Sequence, residues 1–135
     1  MGHHLRDNHL LSDMQHGFIR GHSTCTNLFE SMNDWTLSVT SKTGISVAYI
    51  DFSRAFDSVT HVKLFARLHS YGIQGDLLRW LTEFFTGCTH QTRVGLSSSN
   101  VAELLSGVVQ GSGIGPVLFL IYIDDLPSCL RVMVL

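Results

Sequence analysis

A carboxylate at the end of a predicted buried strand is the first feature of this sequence that could do chemistry. Residues 45–52 read I-S-V-A-Y-I-D-F, and β-branched and aromatic residues that follow a glycine turn predict a strand. Asp51 lies at the carboxyl end of that segment, where a rigid strand can hold a metal ligand in place. The alternative is that Asp51 only caps the following turn, and the spacing alone leaves both open.

A glycine-rich segment is the second candidate. Residues 110–116 read Q-G-S-G-I-G-P, and its glycines leave backbone N–H groups open to a phosphate or to a closely approaching base. The segment lacks both the G-K-[ST] ending of a Walker loop and the G-x-G-x-x-G spacing of a dinucleotide fingerprint. The alternative is a plain connection into the last helix.

Three amphipathic helices are predicted to surround these segments. The first begins at Ser23-Thr24, ends near residues 41–44, and has its apolar residues on one face: Leu28, Met32, Trp35 and Val39. The second begins at Asp57 or Thr60 and ends at Gly72, and it buries four residues: Leu64, Phe65, Leu68 and Tyr71. The third covers residues 76–86, ends at Gly87, and has the clearest apolar stripe: Leu77, Leu78, Leu81, Phe84 and Phe85.

The last third of the chain predicts strands and one more helix. Residues 89–95 and 103–109 read as two strands around a serine-rich turn at 97–100. The glycine-rich segment then opens an apolar helix that ends near residues 125–127, and residues 131–135 read as the beginning of a further strand. These elements predict an α+β fold, a small antiparallel sheet backed by helices, in a chain that stops early.

Composition indicates one ordinary globular domain over residues 1–135. Charged residues make up 15% of the chain and the net charge is −2, so there is no basic excess of the kind nucleic-acid binders usually have. The three cysteines are widely separated, which predicts reduced thiols, an intracellular location (nuclear or cytoplasmic) and no disulfide-linked partner. The apolar run 117–123 is far too short to cross a bilayer, so no membrane partner is expected.

Four ordered motifs together carry a resemblance that none carries alone. They are Q-H-G-F-I-R-G-H-S-T at 15–24, Y-I-D-F-S-R-A-F-D-S-V-T-H at 49–61, Y-G-I-Q-G-D-L-L-R-W-L at 71–81 and S-G-V-V-Q-G-S-G-I-G-P at 106–116, which continues to D-L-P at 125–127. In this order they resemble the fingers–palm region of a non-LTR (LINE-type) retrotransposon reverse transcriptase, over residues 14–127. The resemblance implies a partial palm domain and RNA-directed DNA polymerase chemistry.

The resemblance also implies roles for the residues around Asp51. Asp51 matches the family's catalytic carboxylate, which holds two Mg²⁺ ions together with an Asp pair from a later motif for two-metal nucleotidyl transfer, and the backbone carbonyl of Phe52 adds a ligand. Ser53, Arg54 and Ala55 match the segment that binds the triphosphate. Phe56 matches the aromatic gate that excludes a ribose 2′-OH, although plain core packing is its alternative role.

The remaining implied contacts involve the glycine-rich segment and the first motif. Gln110 and Gly111 match residues that touch the incoming dNTP and let the template pass close to the backbone. Arg20 is in a position to contact template phosphate, with a solvated surface arginine as the alternative. The implied partners are an RNA template, a DNA primer and dNTPs.

Y-I-D-D at residues 122–125 has the form of the family's metal-binding pair, but it follows Gln110 too closely and a helical run separates the two. Asp124 and Asp125 are therefore interpreted as a helix-end and turn pair. The chain would then stop before the motif with the catalytic Asp pair and be inactive alone. Val109, Gly113, Thr60 and Ile19 also depart from the family pattern, so a non-catalytic binding module or a decayed relic of a retroelement is the alternative function.

Overall fold

Five helices and four short strands form within residues 1–126, the part of the chain that the computed structural model describes. The helices are α1 (Gly2–Asp7), α2 (Thr24–Thr40), α3 (His61–Ser70), α4 (Gly75–Phe85) and α5 (Gly115–Ile123). The strands are β1 (Thr89–His90), β2 (Arg93–Val94), β3 (Ser97–Ser98) and β4 (Ala102–Glu103). The described residues divide into two compact units, residues 54–122 with Met1, and residues 2–53 with residues 123–126. The predicted strand at 131–135 and Cys129 lie outside the described residues.

Helix α2 begins and ends where its capping residues predict. Ser23 Oγ accepts a hydrogen bond from the Thr26 amide, and Thr26 Oγ1 accepts one from the Ser23 amide, so the first turn has a reciprocal capping box. The apolar residues that share one face of α2 are mostly exposed: Leu28, Met32 and Val39 are 58%, 48% and 72% exposed, and Trp35 is half-buried. Periodicity shows which residues share a helix face, and does not show whether another element covers that face.

Helices α3 and α4 form the best-packed pair, and both match their predicted bounds to within a residue or so. They pack against each other, and each buries residues of its predicted stripe, Leu64 and Leu68 on α3 and Leu81 and Phe85 on α4. Gly72 has a φ of +76° and follows the end of α3. The amides of Gly72 and Ile73 donate to the last turn of this helix in the pattern of a Schellman motif.

The predicted buried strand at residues 45–52 is wrong. These residues are irregular and all of them are exposed. Apolar β-branched side chains favour a strand, but the strand also requires a neighbouring strand for its backbone N–H and C=O groups. None of the strands in residues 1–126 pairs with this segment, so Asp51 lies in an exposed irregular segment and not at the end of a buried strand.

The antiparallel pairing predicted in the last third is confirmed in part, with much shorter strands, and the predicted serine-rich turn at 97–100 is wrong because Ser97 and Ser98 form β3. β2 pairs with β3 across a two-residue turn at Gly95 and Leu96, and β1 pairs with β4 outside them. All of these strand residues are exposed, so the predicted backing of the sheet by helices is absent here. The strand predicted at 103–109 is wrong beyond Glu103, because residues 106–108 make their backbone hydrogen bonds with residues 56–60 instead.

Helix α5 begins inside the glycine-rich segment, as predicted. Ser112 Oγ accepts a hydrogen bond from the Gly115 amide and donates one to the Val109 carbonyl, which fixes the turn that precedes the helix. Leu118, Leu120 and Ile121 of α5 are buried. Within residues 1–126, no helix has both the length and the apolar character that a membrane crossing requires.

Candidate nucleotide-binding site

Two segments that carry predicted site residues are joined by a short antiparallel contact, which we call the clasp (residues 56–60 and 106–108). The Val108 amide donates to the Phe56 carbonyl at 2.9 Å, and the Gly107 amide donates to the Val59 carbonyl at 2.8 Å. Ser106 Oγ donates to the Asp57 carbonyl at 2.9 Å. The clasp therefore holds the backbone of Phe56 beside a residue only two positions before Gln110.

Gly107 is the point of closest approach in the clasp. Its φ is +95°, a conformation that L side chains rarely adopt. A Cβ atom at this position would lie 3.1 Å from the Asp57 Cα and 3.2 Å from the Asp57 carbonyl oxygen. Both the backbone conformation and the space therefore require glycine here.

His61 holds the clasp from the first turn of α3. Its Nε2 lies 2.8 Å from the Gly107 carbonyl oxygen. Because a carbonyl oxygen can only accept, Nε2 carries the hydrogen. The His61 ring also lies 5.1 Å from the Phe85 ring and 6.2 Å from the Phe65 ring, centroid to centroid, so its position is set by packing as well as by the hydrogen bond.

Phe56 is half-buried and stacks on an aromatic residue of α5. Its ring centroid lies 4.7 Å from that of Phe119, with the ring planes tilted by 33°. Such a pair stabilises the position of both rings beyond the area that they bury. Core packing, the alternative role of Phe56, is therefore present, and a half-exposed ring is also able to contact a ligand.

Gln110 and Gly111 are exposed at the surface of the same unit. Gly111 has a φ of +80°, and a Cβ atom there would meet nothing within 4 Å. Its glycine is therefore required by backbone conformation and not by crowding within this chain. The open space above it is compatible with the expected close approach of a nucleic-acid strand.

A pocket of about 290 Å³ lies next to the clasp. Its lining is mainly apolar and includes Phe85, Val108, the His61 ring and Gln110. None of the residues that line it is lysine or arginine, so the pocket offers no charge to balance a triphosphate.

The predicted site residues from Asp51 to Ala55 are mostly exposed, and they divide between the two units. Asp51, Phe52 and Ser53 belong to the unit of residues 2–53, whereas Arg54 belongs to the other; all four are exposed, and Ala55 is half-buried. Across residues 1–126, no three His, Cys, Asp or Glu side chains come together in a way that could hold a metal ion. The oxygen donors at Asp51 and Phe52 are hard ligands of the kind Mg²⁺ prefers, but they would supply only part of its coordination.

Asp124 and Asp125 form a turn directly after α5. The Asp124 carboxylate accepts a hydrogen bond of 2.8 Å from the Ser12 amide. The position of both residues in this turn agrees with their interpretation as a helix-end and turn pair.

The first motif, residues 15–24, is fastened to α2 by a buried histidine. His16 is 7% exposed, and its ring nitrogens lie 3.0 Å from Thr26 Oγ1 and 3.1 Å from Glu30 Oε2. The His22 ring lies against it at a centroid distance of 4.7 Å. Arg20, in the middle of the same motif, is exposed and so remains accessible to a phosphate.

Three residues with clear structural roles, His16, His61 and Gly107, lie inside the four motifs but have no role that the motifs themselves indicate. A histidine within a motif is visible in the sequence, but its partner is not: His61 bonds to a residue 46 positions away. Gly107 could have been singled out as a glycine that follows a polar residue in a predicted strand, since glycine there often marks a close backbone approach.

We predict that His16→Phe lowers the free energy of unfolding by about 1–2 kcal/mol, because phenylalanine keeps the ring and loses both hydrogen bonds. Chemical denaturation followed by circular dichroism measures the change. His69→Phe, at an exposed position on α3, is the matched control and should alter stability much less. Equal effects of the two substitutions would contradict the anchoring role of His16.

Comparison with known proteins supports the resemblance across nearly the whole chain. Residues 1–134 match the family described as reverse transcriptase (RNA-dependent DNA polymerase). The chain is 28% identical over 129 residues to the probable RNA-directed DNA polymerase from transposon BS of Drosophila melanogaster, which covers 91% of this chain and 14% of that protein.

Two further relatives belong to other mobile elements. The chain is 30% identical over 86 residues to the retrovirus-related Pol polyprotein from type-1 retrotransposable element R2 of Popillia japonica, which covers 64% of this chain and 14% of that protein. It is 28% identical over 114 residues to the RNA-directed DNA polymerase from mobile element jockey of Drosophila funebris. This match covers 84% of this chain and 12% of that protein. The chain thus spans about one seventh of the length of the first two relatives. No solved structure matches significantly.

Proposed function

Because this chain belongs to the reverse transcriptase family, and its relatives are polymerases of non-LTR retrotransposons, we propose that it supplies part of a polymerase palm that binds an incoming dNTP. In this proposal the chain contributes to RNA-directed DNA synthesis and does not complete the active site alone. The implied partners are an RNA template and a DNA primer.

The observation that carries the proposal is the clasp. It brings together two segments that the family resemblance links to the same nucleotide, the segment that follows Asp51 and the segment that precedes Gln110. These segments are about fifty residues apart in the chain. A direct backbone contact between them supports the proposal, because it keeps Phe56 and Gln110 close enough to contact one nucleotide.

The chain's own residues would have separate tasks in this site. Phe56, held by its stack on Phe119, would press against the sugar and disfavour a ribose. Gln110 and the glycine backbone after it would contact the nucleotide and the template strand. The exposed Arg54 would contribute positive charge near the triphosphate.

Asp51, with the Phe52 carbonyl, would supply part of the coordination of Mg²⁺. Carboxylates of a later motif and the phosphates of the dNTP would supply the remaining ligands. When bound, Mg²⁺ would supply the positive charge that activates a primer 3′ hydroxyl and stabilises the departing pyrophosphate.

A nucleotide titration tests the proposal on the 135-residue chain. We expect a fluorescent dATP analogue to bind in the presence of Mg²⁺, and Gln110→Ala to weaken that binding about tenfold because a hydrogen-bonding side chain is lost. Gln74→Ala, at an exposed position before α4, is the matched control. Absence of binding by the unsubstituted chain would refute the proposal and leave a non-catalytic binding module as the alternative.

A further inference from the structure

We propose that His61 and Gly107 are positioning residues that set where Phe56 lies relative to Gln110. The inference rests on the proposed function, which assigns the nucleotide contacts to Phe56 and Gln110. It adds to that function two residues that would touch neither the nucleotide nor the metal and would act through the backbone of the clasp.

Backbone hydrogen bonds fix residues 106–108 relative to residues 56–60. The carbonyl that accepts the Val108 amide belongs to Phe56 itself, and Gln110 follows Val108 by two residues. A change in the separation of the two clasp segments therefore changes the distance between the two nucleotide contacts. Gly107 permits the present separation, because any Cβ atom would press on the backbone of Asp57.

His61 connects the clasp to a rigid element. It is the first residue of α3, whose Leu64 and Leu68 are fully buried, and its Nε2 donates to the Gly107 carbonyl. The Gly107 amide donates in turn to the Val59 carbonyl. Gly107 is thus held from both of its backbone polar groups by the short stretch that runs from Val59 to His61.

The alternative to a positioning role is that His61 only packs against Phe85. Two substitutions distinguish a packing role from a positioning role. His61→Phe keeps an aromatic ring beside Phe85 and Phe65 but has no N–H group for the Gly107 carbonyl. His61→Gln loses the ring but keeps an N–H donor at a similar reach. If His61 acts by positioning, the variant that keeps the N–H donor, His61→Gln, should behave like the unsubstituted chain. If His61 acts only by packing, the variant that keeps the ring, His61→Phe, should do so.

Two measurements on the 135-residue chain test the inference. The first is hydrogen exchange of the Gly107 and Val108 amides, with the Leu104 amide as internal reference, because Leu104 bonds to the Cys88 carbonyl outside the clasp. The second is the Mg²⁺-dependent titration with the fluorescent dATP analogue. We expect His61→Phe to accelerate exchange at both clasp amides and to weaken dATP binding, each about tenfold, and His61→Gln to restore both to near the unsubstituted values.

The outcomes distinguish this inference from the proposed function. If the unsubstituted chain binds the analogue and His61→Phe binds equally well, or His61→Gln binds as weakly as His61→Phe, the positioning role is refuted. If the unsubstituted chain does not bind, the proposed function fails, and unchanged exchange at Gly107 and Val108 in His61→Phe refutes the positioning role separately. His69→Phe on the exposed side of α3 controls for the substitution itself.

Discussion

Replacing Asp51 by asparagine should reduce primer extension at least about a thousandfold, because an amide cannot supply the negative charge that holds Mg²⁺ for in-line phosphoryl transfer. The measurement requires a complete polymerase. We would insert residues 14–126 of this chain in place of the matching segment of the jockey polymerase and follow extension of a DNA primer on an RNA template. Asp51→Asn changes one exposed side chain and should leave the fold intact.

Asp13→Asn is the matched control for Asp51→Asn, since Asp13 is also exposed and lies in the same unit. It should extend primer as the unsubstituted hybrid does. The 135-residue chain by itself is expected to be inactive with or without Asp51. Primer extension within about tenfold of normal by the Asp51→Asn hybrid would mean that another carboxylate holds the metal, and Asp124 and Asp125 would be the first to replace.

Gly107→Ala is expected to have the largest effect on stability, a loss of about 2–4 kcal/mol in the free energy of unfolding. Two costs combine at this position. Alanine is strained at a φ of +95°, and its Cβ atom would lie 3.1 Å from the Asp57 Cα, where backbone atoms must move to admit it. Urea denaturation followed by circular dichroism measures the loss.

Gly95→Ala separates the two costs in Gly107→Ala. Gly95 also has a positive φ, +60°, but a Cβ atom there would meet nothing within 4 Å. It should therefore show only the cost of the left-handed conformation, about 1 kcal/mol. If Gly107→Ala were no more destabilising than Gly95→Ala, the close approach between Gly107 and Asp57 would not be present in solution.

The sequence alone determined the helix ends and helix faces that depend on residues a few positions apart. The capping box at Ser23 and Thr26, the left-handed glycine after α3 and the apolar stripes of α3 and α4 all act between residues a few positions apart. The bounds of three helices followed directly from them. The order of the motifs was equally sufficient to indicate the family, since that comparison needs no contacts at all.

Only the tertiary structure decided the features that depend on distant partners. The apolar pattern of residues 45–52 predicted a strand, and without a paired neighbour in residues 1–126 the segment is irregular and exposed. The spacing on α2 placed four apolar residues on one face, and three of them, Leu28, Met32 and Val39, are exposed. Residues 103–109 read as a strand, yet residues 106–108 bond to a segment about fifty residues away.

The clasp shows the physical reason most directly. The propensities of residues 56–60 and 106–108 are compatible with several partners, and the choice among them is made by backbone hydrogen bonds and close packing that form only when the chain has folded. The requirement for glycine at position 107 comes from the backbone of Asp57, and the tautomer of His61 comes from the Gly107 carbonyl. The sequence by itself determined which residues could take part in the nucleotide site, and the tertiary contacts decided which of them are held together.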